Sequence, residues 1–235
     1  MLWLKGWLET RIRLCVSLGF LALLLVFGRS VPTTPVAPGA RLPIFGVILF
    51  SNPTSIIMAC AFLAGAGIAT QPSFQATKGL HGSILFTLSL PVSRLRLLAV
   101  RTFIGWLEAM CAIGIFCSAQ WLATPALRAV VTATEMFEYA GTIMVCASAL
   151  YFLSVLLATF LEDQWRVWGT MLGSAGLWGL SSRGFLPASA NLFRAMGTDS
   201  PLIAHTIPWT ALGFSLGLCM VLFLAALSIV QTREY

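Results

Sequence analysis

Charge is what this chain has least of: Asp, Glu, Lys and Arg make up 9% of its 235 residues. Soluble domains carry roughly 25%, so a water-covered globular surface is excluded. Lysine is scarcer still, limited to Lys5 and Lys78. Neither stands in a G-x-x-x-x-G-K-[ST] run, which excludes a phosphate-cradling loop of that kind. HExxH and G-x-S-x-G are also missing. An intramembrane hydrolase needs a nucleophile with a base, or a metal cluster, within its spans, and no such set is visible. His81 and His205 fall on opposite sides of the membrane in the topology below, so they make no shared metal site. Cys15, Cys60, Cys111, Cys117, Cys146 and Cys219 all sit in apolar runs without a CxxC pair. They read as buried, inert thiols, because a metal or redox site needs paired, accessible sulfurs.

What fills the space is apolar. Hydrophobic residues make up 58% of the chain, and its mean hydropathy is +0.91. The outer surface is therefore expected to face lipid. The net charge of +6 does not mark a nucleic-acid binder, because the basic residues flank apolar runs instead of forming one patch. The expectation is a single all-α integral membrane domain over residues 1–235.

A spanning helix needs ~20 mainly apolar residues. Six stretches qualify or nearly so: 14–28, 44–69, 97–123, 139–161, the shorter 167–180, and 209–230. With six spans, Lys5, Arg11, Arg13, Lys78, Arg94, Arg96, Arg101, Arg166 and Arg233 lie on one side. Arg29, Arg41, Arg128, Arg183 and Arg194 lie on the other. Nine against five places both termini in the cytoplasm, of a multi-pass protein in the cell inner (plasma) membrane. Ahead of the first span, MLWLKGWLETRIR sets Leu2, Trp3, Trp7 and Leu8 opposite Lys5 and Glu9, the pattern of an interfacial amphipathic helix. The alternative is a signal peptide with Lys5–Arg13 as its basic region. VPTTPVAPGARLP after the first span reads as an extended external loop. SANLFRAMG reads as a short external helix capped by Ser189 and stopped by Gly197, with Leu192, Phe193 and Met196 on one face. Its alternative is an ordinary external loop.

The most distinctive stretch is Gln71 to Arg101, polar, basic and turn-rich between two apolar runs. Leu80, Ile84, Phe86, Leu88 and Leu90 stand there among Lys78, His81 and Ser83. Pro91 ends any helix at about Ser89, and Ser93 can cap the next one, with Arg94 and Arg96 at headgroup level. From these residues alone, a membrane-surface helix without a partner remains open.

GLHGSILFTLSLPVSRLRLL resembles the loop of ABC type-2 transporter permeases, in which a Gly-Thr-like pair leads through a leucine-rich helix to LPVSR and then a span. Gly82-Ser83 stands at the Gly-Thr position, Leu88–Arg94 reads LSLPVSR, and Leu97-Leu98 follow. The family often carries an acidic residue shortly before that glycine; Lys78 and Gly79 stand there instead. The resemblance implies the membrane-spanning permease subunit of an ATP-driven transporter, an exporter, paired with a second permease subunit as a homodimer or heterodimer. It implies a separate ABC ATPase subunit that binds ATP and Mg, so no cofactor is expected on this chain. The loop would be a coupling helix, with Lys78, His81, Gly82, Ser83, Leu85, Phe86 and Leu88 facing the ATPase. Rival readings are a six-span membrane enzyme and a non-catalytic membrane scaffold.

Three further features are weighed inside the spans. Glu108 lies about 17 Å into the third span at 1.5 Å per residue, where a carboxylate is expensive, and Arg101 precedes it on nearly the same face. The pair fixes helices in the bundle interior or lines a substrate path. Gly169, Gly173, Gly176 and Gly179 share one side of the fifth span, with Gly213 and Gly217 spaced alike in the sixth. Small residues let helices approach closely in lipid, either within the subunit or at a permease–permease interface. Asn52-Pro53 should kink the second span.

Overall fold

A computed structural model describes residues 2–28, 93–129, 131–161, 163–185 and 187–232. Every regular element among the described residues is helical: α1 (Leu2–Gly28), α2 (Arg94–Ala123), α3 (Pro125–Arg128), α4 (Ala133–Ala158), α5 (Asp163–Ser182), a 3-10 turn (Ala188–Ala190), α6 (Leu192–Met196), α7 (Pro201–Ala204) and α8 (Trp209–Thr232). Three of these, α2 from Leu98, α4 and α8, are long and apolar enough to cross a membrane. The described residues are thus all-helical, and three of their helices suit a membrane by length and composition.

Local chemistry sets the helix ends. Ser93 caps α2: its backbone is extended, and its hydroxyl accepts from the Arg96 amide at 3.3 Å. At the other end Thr124 is held extended by the following Pro125, and that proline opens α3. α4 starts with a capping box. The Glu135 amide donates to the Thr132 hydroxyl at 3.3 Å, and the Thr132 amide donates to the Glu135 carboxylate at 2.9 Å. Asn191, not Ser189, caps α6; its carbonyl oxygen accepts from Phe193 and Arg194. Ser189 is already inside the 3-10 turn and cannot serve. Gly197 ends α6 as expected, and Leu192, Phe193 and Met196 are buried together. His205 ends α7 in the left-handed region at φ 50.

One expectation is revised at the N-terminus. The stretch read as an interfacial helix and the first span form one element; α1 runs unbroken for 27 residues. No proline or glycine pair interrupts its backbone, and Thr10, in the part expected to lie on the membrane surface, is buried at 4% exposure.

α4 is the central element. Cys146, Ala147, Ala149, Leu150, Tyr151, Val155 and Ala158 are fully enclosed, against α2, α5, α8 and the short helices. The contacts fix directions. Tyr151 reaches the Thr102 carbonyl, Trp106 reaches Ser148, and Gly114 faces Met144, so α2 and α4 are antiparallel. Gly169 meets Leu157 and Leu161 while Gly173 meets Leu153, so α4 and α5 are antiparallel. α6 and α7 cover the end where α4 begins, and His205 pairs there with Glu135 at 3.3 Å. Thr210, at the start of α8, donates to the Ser189 carbonyl at 2.7 Å; α8 therefore starts at that same end and runs parallel to α4. α1 lies on the outer flank of α2. Thr10 meets Glu108, and Leu21 clusters with Ala112 and Phe116, so α1 and α2 run in the same direction.

Candidate functional site

Buried polar groups mark the interior. Glu108 is 2% exposed on α2. One carboxylate oxygen accepts from the Thr10 hydroxyl of α1, and the other, Oε2, has no hydrogen-bond partner among the described residues. A half-satisfied carboxylate in an apolar interior is costly, so this contact is specific and not incidental. Ser17, two turns further along α1, is also buried without a hydrogen-bond partner for its hydroxyl among the described residues. Arg101 is buried on the same flank of α2, about 10 Å nearer its start at 1.5 Å per residue.

A second polar row runs along α5. Arg166, Thr170 and Ser174 recur every four residues and are at most 1% exposed. Arg166 is therefore not the flanking headgroup charge that its position before an apolar run suggests; it lies inside the bundle. Thr170 returns its hydroxyl to the Arg166 carbonyl at 2.8 Å. Gly169 and Gly173 fit against leucines of α4. A Cβ at Gly169 would come within 3.0 Å of Leu161, and one at Gly173 within 3.1 Å of Leu153. Gly176 and Gly179 face open space. The outward side of α5 carries Trp165, Trp168, Leu172 and Trp178, all well exposed.

A groove of about 550 Å³ runs between α2, α4 and α8. Phe103 and Trp106 wall it on α2, Ser148 and Phe152 floor it on α4, and Leu216 and Phe223 close it on α8. The Trp106 indole donates to the Ser148 hydroxyl at 2.8 Å, which in turn donates to the Met144 carbonyl at 2.8 Å. The Phe152 and Phe223 rings meet edge to face with centroids 5.9 Å apart. Thr102 also lines the groove; its hydroxyl is buried with no hydrogen-bond partner among the described residues. The groove suits an apolar occupant, because its few polar groups are already largely bonded to each other.

Among the described residues, no three of His, Cys, Asp and Glu gather into a possible metal site. Cys117, Cys146 and Cys219 are buried, whereas Cys15 and Cys111 stand on outward helix faces; lipid-facing positions are apolar too, so an apolar run alone does not place a thiol inside. Lys78, His81, Gly82, Ser83, Leu85, Phe86 and Leu88, with the span at 44–69 and its Asn52-Pro53, lie outside the described residues. Of the other expected positions, Arg101 and Glu108 share a buried flank of α2, Gly169 and Gly173 pack within the bundle, and Gly176 does not. Sequence reasoning missed Thr10, Thr102, Ser148 and the Arg166–Thr170–Ser174 row. Only the last had a usable signal, its spacing of four.

No family model, curated protein or solved structure matches this chain.

Proposed function

We propose that the chain is the membrane-spanning permease subunit of an ATP-driven ABC type-2 transporter, an exporter, in the inner (plasma) membrane. ATP and Mg bind on a separate ATPase subunit, and a second permease subunit completes the pathway. The carrying observation is the stretch Gly79–Leu98, which resembles the coupling loop of these permeases and leads through Pro91 into the Ser93-capped start of α2.

The helix directions support six crossings. α1 and α2 run the same way, so the chain between them must return across the bilayer, and 44–69 is the apolar stretch that can do it. α2, α4, α5 and α8 then alternate. α5 lacks the hydropathy of the other spans, with Asp163, Gln164 and Arg166 in its first turn and glycine, serine and tryptophan through the rest, yet its 20 residues cover ~30 Å at 1.5 Å each, the thickness of the hydrocarbon core. Six crossings would put both termini on one side, which the basic-residue bias makes the cytoplasm. Glu108 and Arg101 would fix the permeation half of the bundle, and the outward face of α5 is available to the second subunit.

The test is to replace Leu85 or Phe86 with Asp in the membrane-embedded chain and measure co-purification of the ATPase with transport-coupled ATP hydrolysis. Apolar anchors dominate interface energies and rim charges contribute less. Both variants are expected to lose the ATPase, and Lys78→Ala to lose much less. Full binding and coupling in both aspartate variants would remove the reading's main support.

A further inference from the structure

We propose that the groove between α2, α4 and α8 seats one anionic phospholipid from the bilayer leaflet at the α2 start, its phosphate held by Arg96, its glycerol ester by Thr102 and one acyl chain by Phe103, Trp106, Phe152 and Phe223. The proposal needs only a chain embedded in a membrane, and stands or falls independently of any ATPase.

Length separates an acyl chain from a helix as the occupant. α2 enters its apolar span at Leu98. Trp106, the deepest α2 residue of the groove, lies eight residues on, ~12 Å at 1.5 Å each. One leaflet supplies about half of the ~30 Å hydrocarbon core. The α4 floor, Ser148 and Phe152, lies in the half of α4 that runs to its end at Ala158, beside the α2 start. The groove therefore reaches from headgroup level to about mid-bilayer. That is the reach of one acyl chain, whereas a crossing helix needs the whole thickness.

Charge selects the head. Arg96 is exposed. Steps of three, four and three lead from Arg96 through Ala99 and Phe103 to Trp106, so the four share one face of α2. The guanidinium thus stands at the mouth of the groove, where its stem can lie along the apolar wall while its head reaches phosphate level. From Arg94 to Leu107 the chain holds three arginines and no acid. The start of a 30-residue helix adds the positive end of its dipole. An anionic phosphate complements that mouth; a zwitterionic head brings a cation of its own against Arg96.

A hydroxyl waits between mouth and channel. Thr102 lines the groove at 3% exposure, and its hydroxyl has no hydrogen-bond partner among the described residues. Its carbonyl accepts from the Tyr151 hydroxyl at 2.9 Å, which pins this turn against α4. Thr102 lies six residues, ~9 Å, deeper than Arg96. A phospholipid carries its ester carbonyls between phosphate and chain, and one of them gives the Thr102 donor the acceptor it lacks. Guanidinium, hydroxyl and aromatic rings follow one another along α2 in the order in which the lipid presents phosphate, ester and chain. The outward face of α2 presents only side chains such as Leu107 and Ile115 to bulk lipid.

The experiment uses the full chain in nanodiscs of equal parts phosphatidylglycerol and phosphatidylcholine. A photoreactive benzophenone amino acid replaces either Leu216, in the groove, or Leu107, outside it, and the mass of each adduct identifies the lipid captured. At position 216 phosphatidylglycerol is expected to exceed phosphatidylcholine about five-fold, the worth of one arginine at an anionic surface. At position 107 the ratio should follow the membrane. Arg96→Ala should bring the ratio at 216 down to that at 107 while lipid is still captured. Arg96→Lys should keep most of the enrichment, and Arg128→Ala, beyond the far end of α2, should change nothing. Thr102→Val should lower the yield at 216 for both lipids without moving their ratio, because both carry the ester. Helical circular dichroism confirms that each variant is folded. Equal ratios at the two positions, enrichment that survives Arg96→Ala, or an undiminished yield in Thr102→Val would overturn the proposal. So would adducts at 216 to protein instead of lipid, whether within one molecule or at dimer mass.

Discussion

Removing one hydroxyl, in Thr10→Val, isolates the contact between α1 and Glu108. Valine keeps the shape of threonine and loses the donor. Glu108 is then left without the bond to its Oε1, while Oε2 already has no partner among the described residues. A hydrogen bond to a carboxylate contributes roughly 1.5–3 kcal/mol, and an orphaned buried acceptor adds its own desolvation cost. The expected loss is about 2–3 kcal/mol, roughly 4–12 °C in Tm at 2–4 °C per kcal/mol for a chain of this size. Glu108→Gln retains an acceptor for Thr10 and removes an ionisable group from an apolar interior, so its effect should stay within about 1 kcal/mol. Glu108→Ala leaves the Thr10 hydroxyl its longer contact with the Trp7 carbonyl at 3.3 Å and opens a void, for about 2–4 kcal/mol. The decisive number comes from the double variant. If Thr10 acts through Glu108, Thr10→Val should add under about 0.5 kcal/mol once Glu108 is alanine, a coupling energy near 2 kcal/mol. The assay is unfolding of the purified chain in mixed micelles, followed by helical circular dichroism and tryptophan fluorescence. Additive losses, or a Glu108→Gln variant as damaged as Glu108→Ala, would refute the reasoning.

Gly173→Ala should be close to neutral, since its methyl asks Leu153 to give by a few tenths of an ångström while helix propensity gains up to about 1 kcal/mol. Gly173→Leu should overfill the α4–α5 contact and cost about 1–3 kcal/mol or more, whereas Gly176→Leu, with open space around it, should leave thermal stability unchanged; equal melting curves for the two leucine variants would contradict this packing. On sealed cells an impermeant maleimide should label His205→Cys and not Ser93→Cys in a cysteine-free background, because the two residues lie at opposite ends of α4; labelling of both from outside would break the antiparallel arrangement of α2 and α4.

Helix ends were legible because they are written in local chemistry. Ser93, Pro125 and Gly197 act within one turn, and each marks a boundary or lies just beyond one. The error at Ser189 is of the same kind: serine and asparagine are both good caps, and the 3-10 turn that consumed Ser189 has no periodic signature. The continuity of α1 was not legible, because Lys5 and Glu9 suggested a surface helix while the residue that ties this stretch to the bundle is Thr10, whose partner Glu108 is 98 residues away. Glu108 could be singled out from its depth in an apolar run, but nothing in the spacing could name the hydroxyl that meets it. Pairings between helices depend on which faces meet, and apolar periodicity does not carry that in lipid.

The reason lies in the solvent. In water, an apolar stripe marks the core, because the other face must be polar. In a bilayer both faces are apolar, and the stripe loses its meaning. On α2, Phe103, Leu107, Ile115 and Leu122 are exposed while Ile104, Ile113 and Phe116 are buried, and no hydropathy scale separates the two groups. Polar residues do separate them. Arg101, Thr102 and Glu108 on α2, Ser148 and Ser154 on α4, Arg166, Thr170 and Ser174 on α5, and Ser215 on α8 are all buried. A hydroxyl or charge facing lipid is costly wherever the bilayer is thick, so these residues turn inward and take their helix face with them. Ser118 on α2, Glu138 on α4 and Ser228 on α8 are exposed and break the rule toward the helix ends, where the hydrocarbon thins into headgroups and the penalty falls. Arg166 makes the same point from the other direction. Counted as a flanking charge, it set a boundary for the fifth span; taken with Thr170 and Ser174, it names the side of α5 that faces α4. In this chain the scarce polar side chains carry the fold information that the abundant apolar ones cannot.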